Sequence, residues 1–258
     1  MTPIQRPAAS VFIFALCILL FHSDMLGRAG NAPGERRVLF HEDFDDLSHW
    51  APFYFPKIKR HTKYSIEKTS DGSYLKTESR RSASAIVYKG KIDVYEFPWL
   101  RFRVLVESIY KAGDATRRSG DDYPLRIYVM FKYDTKKAGF WERIKYKTAK
   151  VIYGEYPPYA SLSYIWANKR HKEAILENKY TGRAQMIPFG QGKDGIGKWK
   201  EVEVNIVEDY EKAFGKRPPA IARIAVMNDS DNTGEKAVSL VDFLEIADQP
   251  GAKNPLAR

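Results

Sequence analysis

Two acidic stretches hold the residues in this sequence best suited to chemistry. The first is Gly120-Asp121-Asp122-Tyr123-Pro124, and the second is Asp229-Ser230-Asp231-Asn232-Thr233-Gly234. In the second, oxygen-bearing side chains recur at alternate positions, Asp229, Asp231 and Thr233, ahead of a glycine. That order matches the first half of an EF-hand calcium loop. The second half is missing, because the twelfth position is Leu240 rather than glutamate. Calcium takes about six to eight oxygen ligands, so a partial site would have to be completed from another loop, with Asp121 and Asp122 as candidates. An Asp/Asn turn bonding its own backbone accounts for the same pattern. Asp121 and Asp122 could instead pair with Arg126 or do acid–base work, although neighbours on an extended chain point apart. Glycan hydrolysis would need two carboxylates about 5 to 9 Å apart across a cleft. Asp121 or Asp122 against Asp229 or Asp231 is the one pairing the sequence offers. Glu42 and Asp43 near the first strand, with Asp242 in the last, could hold a structural calcium if the terminal strands are adjacent.

A second group combines arginines with aromatic rings. Strand alternation puts Leu100, Phe102, Val104 and Val106 on one face and Trp99, Arg101 and Arg103 on the other. It likewise opposes Arg126, Tyr128 and Met130 to Leu125, Ile127, Val129 and Phe131, and groups Leu162, Tyr164 and Trp166. If these strands share a sheet, its outer surface could carry Arg101, Arg103, Arg126, Tyr128, Tyr164 and Trp166. Rings stack on the apolar faces of sugars and guanidinium groups bind carboxylates or sulfates, so this platform would suit an acidic glycan. Tyr164 and Trp166 could equally be core residues.

Other chemistries lack their residues. Cys17 is the one cysteine, and the histidines beyond residue 30 are His41, His49, His61 and His171, with no H-x-H or H-E-x-x-H pair. No nucleophile elbow, phosphate loop or dinucleotide fingerprint is present. Serine hydrolysis, nucleotide use, zinc proteolysis and thiol catalysis are therefore poorly supported.

The elements that must position these groups read as strands. Short runs of β-formers recur between turn residues at 38–44, 64–68, 74–78, 85–88, 99–106, 125–133, 161–167, 185–189, 199–206, 221–227 and 238–246. They predict an all-β, two-sheet antiparallel sandwich of jelly-roll type with one or two short helices. One helix is marked by Val207, Tyr210, Glu211 and Phe214, stopped by Gly215 and Pro218-Pro219. The other, at 136–153, is basic and amphipathic, and could lie on an anionic membrane surface or simply pack on the sandwich.

The first thirty residues read as a cleavable export signal. Arg6 leads an apolar run from Ala8 to Phe21, and small residues follow at Gly27, Ala29 and Gly30. The run is shorter than the roughly 20 residues that span a bilayer. Cleavage would remove Cys17 and leave 31–247 as one domain with a loose tail at 248–258, in the periplasm or outside. The formal charge of +10 would become +9, since Arg6, Arg28 and Asp24 depart. A basic exported protein should favour acidic polysaccharide, an envelope glycan or an anionic membrane surface, with nucleic acid the least expected partner.

The acidic motifs in this order, with Arg126-Ile127-Tyr128-Val129, Tyr164-Ile165-Trp166-Ala167, Asp209-Tyr210 and Met227-Asn228 between and beside them, resemble the bacterial domain of unknown function 3047 family. The resemblance runs from about Val38 to Ile246. Asn228 stands where threonine is expected, a change among oxygen ligands. The resemblance implies an exported sandwich and no particular reaction. It directs attention to the Asp121-Asp122 loop, Arg126, Trp166 and the Asp229–Gly234 loop. Together these readings predict a ligand-binding sandwich for an acidic glycan, with calcium as the candidate cofactor and a glycan hydrolase or lyase, or an accessory envelope protein, as the alternatives.

Overall fold

The computed structural model describes residues 35–70, 72–133 and 158–251. The segment read as an export signal and the basic 136–153 stretch lie outside the described residues. From Arg36 onward the chain forms one compact unit, built from two sheets. The six-stranded sheet A contains β1 (Val38–Glu42), β3 (Lys63–Thr69), β4 (Gly72–Arg80), β7 (Trp99–Val106), β12 (Trp199–Asn205) and β14 (Lys236–Ala247). Its order is β12-β7-β14-β4-β3, with β1 also paired to β14. The eight-stranded sheet B contains β2 (Trp50–Phe53), β5 (Ala83–Tyr88), β6 (Ile92–Asp93), β8 (Arg126–Phe131), β9 (Ala160–Ala167), β10 (Leu176–Glu177), β11 (Ala184–Gln191) and β13 (Ile221–Asp229). Its order is β10-β11-β9-β8-β13-β5-β2, with β6 on β13. The protein is thus an all-β two-sheet sandwich, antiparallel except where β11 runs parallel to β9.

Period-two alternation builds the interior. Along β7, Leu100, Phe102, Val104 and Val106 are fully buried and the residues between them are half-exposed. They meet Ile127, Val129 and Phe131 of β8 and Ile224 and Val226 of β13 in one apolar cluster between the sheets. Burial of this area is the main favourable term in folding. One α-helix, α1 (Ile206–Phe214), is described. Asn205 caps it by accepting from the Val207 and Glu208 N–H groups at 3.0 and 3.2 Å, and Gly215 ends it at φ +67. Its Tyr210 ring meets Phe131 edge-on at 4.6 Å. The helix therefore packs at the end of β8 opposite Arg126.

The outer face of sheet B is covered by a second layer of loops. Tyr123 and Ala115 lie over Ile165 and Ala167 on one side. Phe55 and Ile58 lie over Ala83, Ala85, Ala225 and Met227 on the other. The first residues of the expected loose tail are tied down: Asp248 pairs with Arg37 at 2.7 Å, and Gly251 N–H donates to Glu203 at 2.6 Å.

Candidate functional site

The pairing of β8 with β13 creates the site. Arg126 lies opposite Met227 in antiparallel register. Asp229, two residues further along β13, therefore projects from the same outer face as Met227 and reaches Arg126 diagonally. The Arg126 Nε–H donates to Asp229 Oδ1 at 2.8 Å, and Nη2 to Oδ2. Arg126 Nη2 also donates to the Asp121 carbonyl at 2.6 Å, and Nη1 to the Tyr128 hydroxyl at 3.2 Å. The Tyr123 ring lies 4.2 Å from the guanidinium and seals it, leaving Arg126 3% exposed.

The two acidic loops meet at this point. Asp122 reaches into the turn after β13, accepting from the Asn232 amide group at 3.0 Å and from the Thr233 N–H at 2.5 Å. Its own carbonyl is held by Asn168 Nδ2 at 2.6 Å. One carboxylate oxygen each from Asp122, Asp229 and Asp231 lies within 4.8 Å of the others, with Asp122 and Asp229 buried and Asp231 exposed. Asp121 adds a fourth carboxylate. Its Oδ1 stands 3.6 Å from Arg126 Nη1 and is buried without a hydrogen bond, and its Oδ2 accepts from Asn178 at 3.4 Å. Among the described residues Arg126 ion-pairs with two of the four, Asp121 and Asp229.

The electrostatics follow from that imbalance. Burial pushes the Asp229 carboxyl up, to about 7, with Asp122 and Asp121 adding to the rise against the pull of Arg126. Asp231 is also raised, by burial first and then by Asp122. Hard oxygen donors, an orphaned buried carboxylate oxygen and surplus negative charge fit a divalent cation of calcium type. Asp231 would provide the solvent-facing approach. The expected ligand Thr233 contributes differently: its hydroxyl accepts from the Glu235 N–H at 3.4 Å and its own N–H holds Asp122.

The structure redistributes the remaining predicted residues. Arg101 and Arg103 sit on sheet A, where they pair with Glu201 at 2.5 Å and Asp242 at 2.7 Å, away from Arg126 on sheet B. Tyr164 and Trp166 face the interior and are 0% exposed. Tyr164 donates to Asp209 at 3.0 Å and Trp166 to the Gly192 carbonyl at 3.0 Å. The expected outer platform of arginines and rings is therefore dispersed. Asn228 is likewise no cation ligand. It is fully buried, accepts from the Tyr110 hydroxyl at 2.8 Å, and donates to Thr77 and Ala237 of the opposite sheet. β1 and β14 are adjacent, but Glu42 is occupied by Trp50 Nε1 at 3.0 Å and Asp242 by Arg103.

Sequence reasoning missed the rim of the site. Tyr180 is 55% exposed, its hydroxyl donates to the Arg118 carbonyl at 3.1 Å, and its ring lies 5.3 Å from the Arg118 guanidinium. The Tyr180 N–H donates to Asn178 Oδ1 at 2.9 Å, and Asn178 Nδ2 donates to Asp121 at 3.4 Å, which joins this segment to the cluster. Burial raises the Tyr180 phenol, and the Asp121, Asp231 and Asp122 carboxylates raise it further. The Asn178-Lys179-Tyr180 stretch carries no strand pattern, and only its polar turn composition marked it.

Fold and cluster together define a two-sheet β-sandwich with an aspartate-rich loop site at one end. The chain belongs to the family described as "Protein of unknown function (DUF3047)", whose model matches residues 48–245. Similar solved structures include the K2 cleaved adhesin domain of Lys-gingipain, with 10% identity and a TM-score of 0.36 over 80% of this chain and 98% of that one. The winged bean acidic lectin complexed with methyl-alpha-D-galactose gives 8% and 0.37 over 83% and 98%. The Bauhinia forficata lectin in complex with GalNAc gives 9% and 0.39 over 83% and 98%. No curated protein matches the chain by sequence.

Proposed function

We propose that this protein is an exported sandwich that binds an acidic saccharide of the cell envelope at the loop cluster, with a calcium ion ordering the two acidic loops. The observation that carries this reading is the convergence of Asp122, Asp229 and Asp231 within 4.8 Å, with Asp121 beside them and Arg126 as the paired cation. Four carboxylates against one guanidinium favour uptake of a cation or of protons. The rim suits a sugar. Tyr180 offers an open ring, Asn178 an amide, and exposed Arg118 and Lys179 flank it with positive charge. Stacking, hydroxyl recognition and carboxylate pairing would then be available around one ion. The net negative cluster would repel an acidic sugar unless the cation is bound, which makes recognition calcium-dependent.

Hydrolysis is the weaker reading. Both oxygens of Asp229 are held by Arg126, and both of Asp122 by the 232–233 turn. Neither carboxylate therefore presents an unengaged oxygen to a substrate.

Two measurements on the EDTA-treated chain test this. Calcium at about 100 times its Kd should raise Tm by about 5 to 10 °C, and Asp231→Asn should lose most of that rise. Retention on polygalacturonate should require calcium and fall about tenfold in Tyr180→Ala, the order expected for losing one stacking ring. A chain whose melting ignores calcium has no such ion. One whose retention ignores Tyr180 binds elsewhere.

A further inference from the structure

A different surface carries a second assignment. Phe53 and Tyr54, consecutive in the chain, are 38% and 53% exposed, an unusual display for two large aromatics at a sheet edge. Phe53 ends β2 and Tyr54 opens the connection to β3, and that connection is not loose. Phe55 and Ile58 turn back onto Ala83, Ala85, Ala225 and Met227. The Ile58 N–H donates to the Phe55 carbonyl at 3.0 Å, and the Arg60 carbonyl accepts from Ala83 at 3.1 Å. Phe53 packs edge-on against Phe55 at 5.2 Å, and Tyr54 stacks on His61 at 4.1 Å. The knuckle is thus anchored on its inner side and presents rings on its outer side.

Its charge is one-sided. From Leu47 to Ile66 there is no acidic residue, whereas Lys57, Lys59, Arg60 and Lys63 fall within it. Lys63 pairs with Glu78 at 3.7 Å. Lys57, Lys59 and Arg60 are exposed and meet no carboxylate among the described residues. We propose that residues 53–61 form a docking knuckle for an anionic phospholipid surface, with Phe53 and Tyr54 entering the headgroup layer and Lys57, Lys59 and Arg60 contacting lipid phosphates. A soluble polyanion would use the three cations and leave the rings in water. A lipid interface uses both, since it combines negative surface charge with an amphipathic layer that accepts aromatic side chains.

The register places this knuckle beside the acidic loops. Across sheet B, Arg126 lies opposite Met227, Met227 opposite Ala85, and Ala85 opposite Phe53. Phe53 is therefore three strand spacings, about 14 Å, from Arg126 at the same end of the sandwich. Docking through the knuckle would turn that end toward the membrane. The proposal does not depend on calcium or on any sugar.

The test is vesicle co-sedimentation of residues 31–258, which retain every described strand and the whole core but lack the apolar leader. Vesicles of phosphatidylcholine with about 30% phosphatidylglycerol should pellet the protein at about 0.1 M NaCl, and release it at about 0.5 M or without the anionic lipid. Partitioning should fall about tenfold in Phe53→Ser/Tyr54→Ser and by at least as much in Lys57→Gln/Lys59→Gln/Arg60→Gln. Both variants alter exposed side chains, so unchanged melting controls for folding. An aromatic variant that pellets like the parent overturns the proposal, since charge elsewhere then drives binding. Equal loss of both variants' retention on dextran sulfate, with no vesicle binding by the parent, overturns it in favour of a soluble polyanion.

Discussion

Two outward-facing arginine regions of the same sandwich have opposite characters. On sheet A, Arg101 and Arg103 are partly exposed and are matched by Glu201, Glu245 and Asp242, with Phe243 and Trp199 under the guanidinium groups. On sheet B, Arg126 leaves its strand in the same outward sense, yet loops cover it and four aspartates surround it. Strand alternation treats the two alike. What separates them is a second layer of chain and an unequal number of charges. A balanced exposed ladder is a solubility surface. A buried cluster with surplus charge has to recruit a proton, a cation or a ligand.

The comparison breaks most readily at the arginines. Arg126→Met leaves Asp229 buried without its guanidinium, and should lower unfolding stability by about 3 to 5 kcal/mol. Arg101→Met frees the partly exposed Glu201, while the buried Glu245 keeps Arg36 and His41, and should cost at most about 1 kcal/mol. Urea midpoints at constant m-value measure both. Equal costs would mean that Arg126 is no more deeply engaged than its counterpart on sheet A.

A smaller difference should separate the aspartates. Asp122 accepts from the Asn232 and Thr233 N–H groups and so ties one acidic loop to the other. Asp122→Ala should cost about 2 kcal/mol, the range for hydrogen bonds to a charged acceptor. Asp242 makes one ion pair with a 39% exposed arginine side chain, and Asp242→Ala should cost no more than about 0.5 kcal/mol. A costly Asp242→Ala beside a silent Asp122→Ala would reverse the roles of the two faces.

How much of this was readable depends on polar contrast. β7 alternates buried apolar with half-exposed polar residues, so its faces could be assigned. In β9 both faces are buried, Tyr164 and Trp166 by the opposing sheet and Ile165 and Ala167 by loops, so alternation carried no sign of direction. Arg126 and Tyr128 were correctly set opposite the core set, but outward did not mean exposed, because Tyr123 closes over the guanidinium. β2, with Pro52 in its four residues, and the two-residue β6 and β10 are too short for a period. α1 was legible because Gly215 and the two prolines stop it. That the acidic loops meet follows from the β8–β13 register, and no single segment encodes a register.

The finest separation is in pH dependence. Asp229 has a folded pKa raised to about 7 from its ordinary value of 3.8, chiefly by burial. The stability linked to its protonated form is therefore complete below about pH 4 and is lost as pH rises through about 7. Asp231 is raised as well, so it acts with the same sign. On sheet A, burial would raise Glu245, but hydrogen bonds from Arg36 and His41 outweigh it and hold the carboxyl below its usual value. Its contribution is present above about pH 4.5 and is lost on acidification, the opposite sense. In EDTA, the Tm of the parent minus that of Asp229→Asn should therefore fall from pH 5 to pH 8. The matching difference for Glu245→Gln should stay flat across that interval, since Glu245 is already ionised. Calcium should remove the fall at the alkaline end, where the ionised carboxylates can take a metal in place of the protons they have lost. Should both differences stay flat in EDTA, the four aspartates would already be balanced by Arg126 and the solvent, and the contrast between the two faces would reduce to depth of burial.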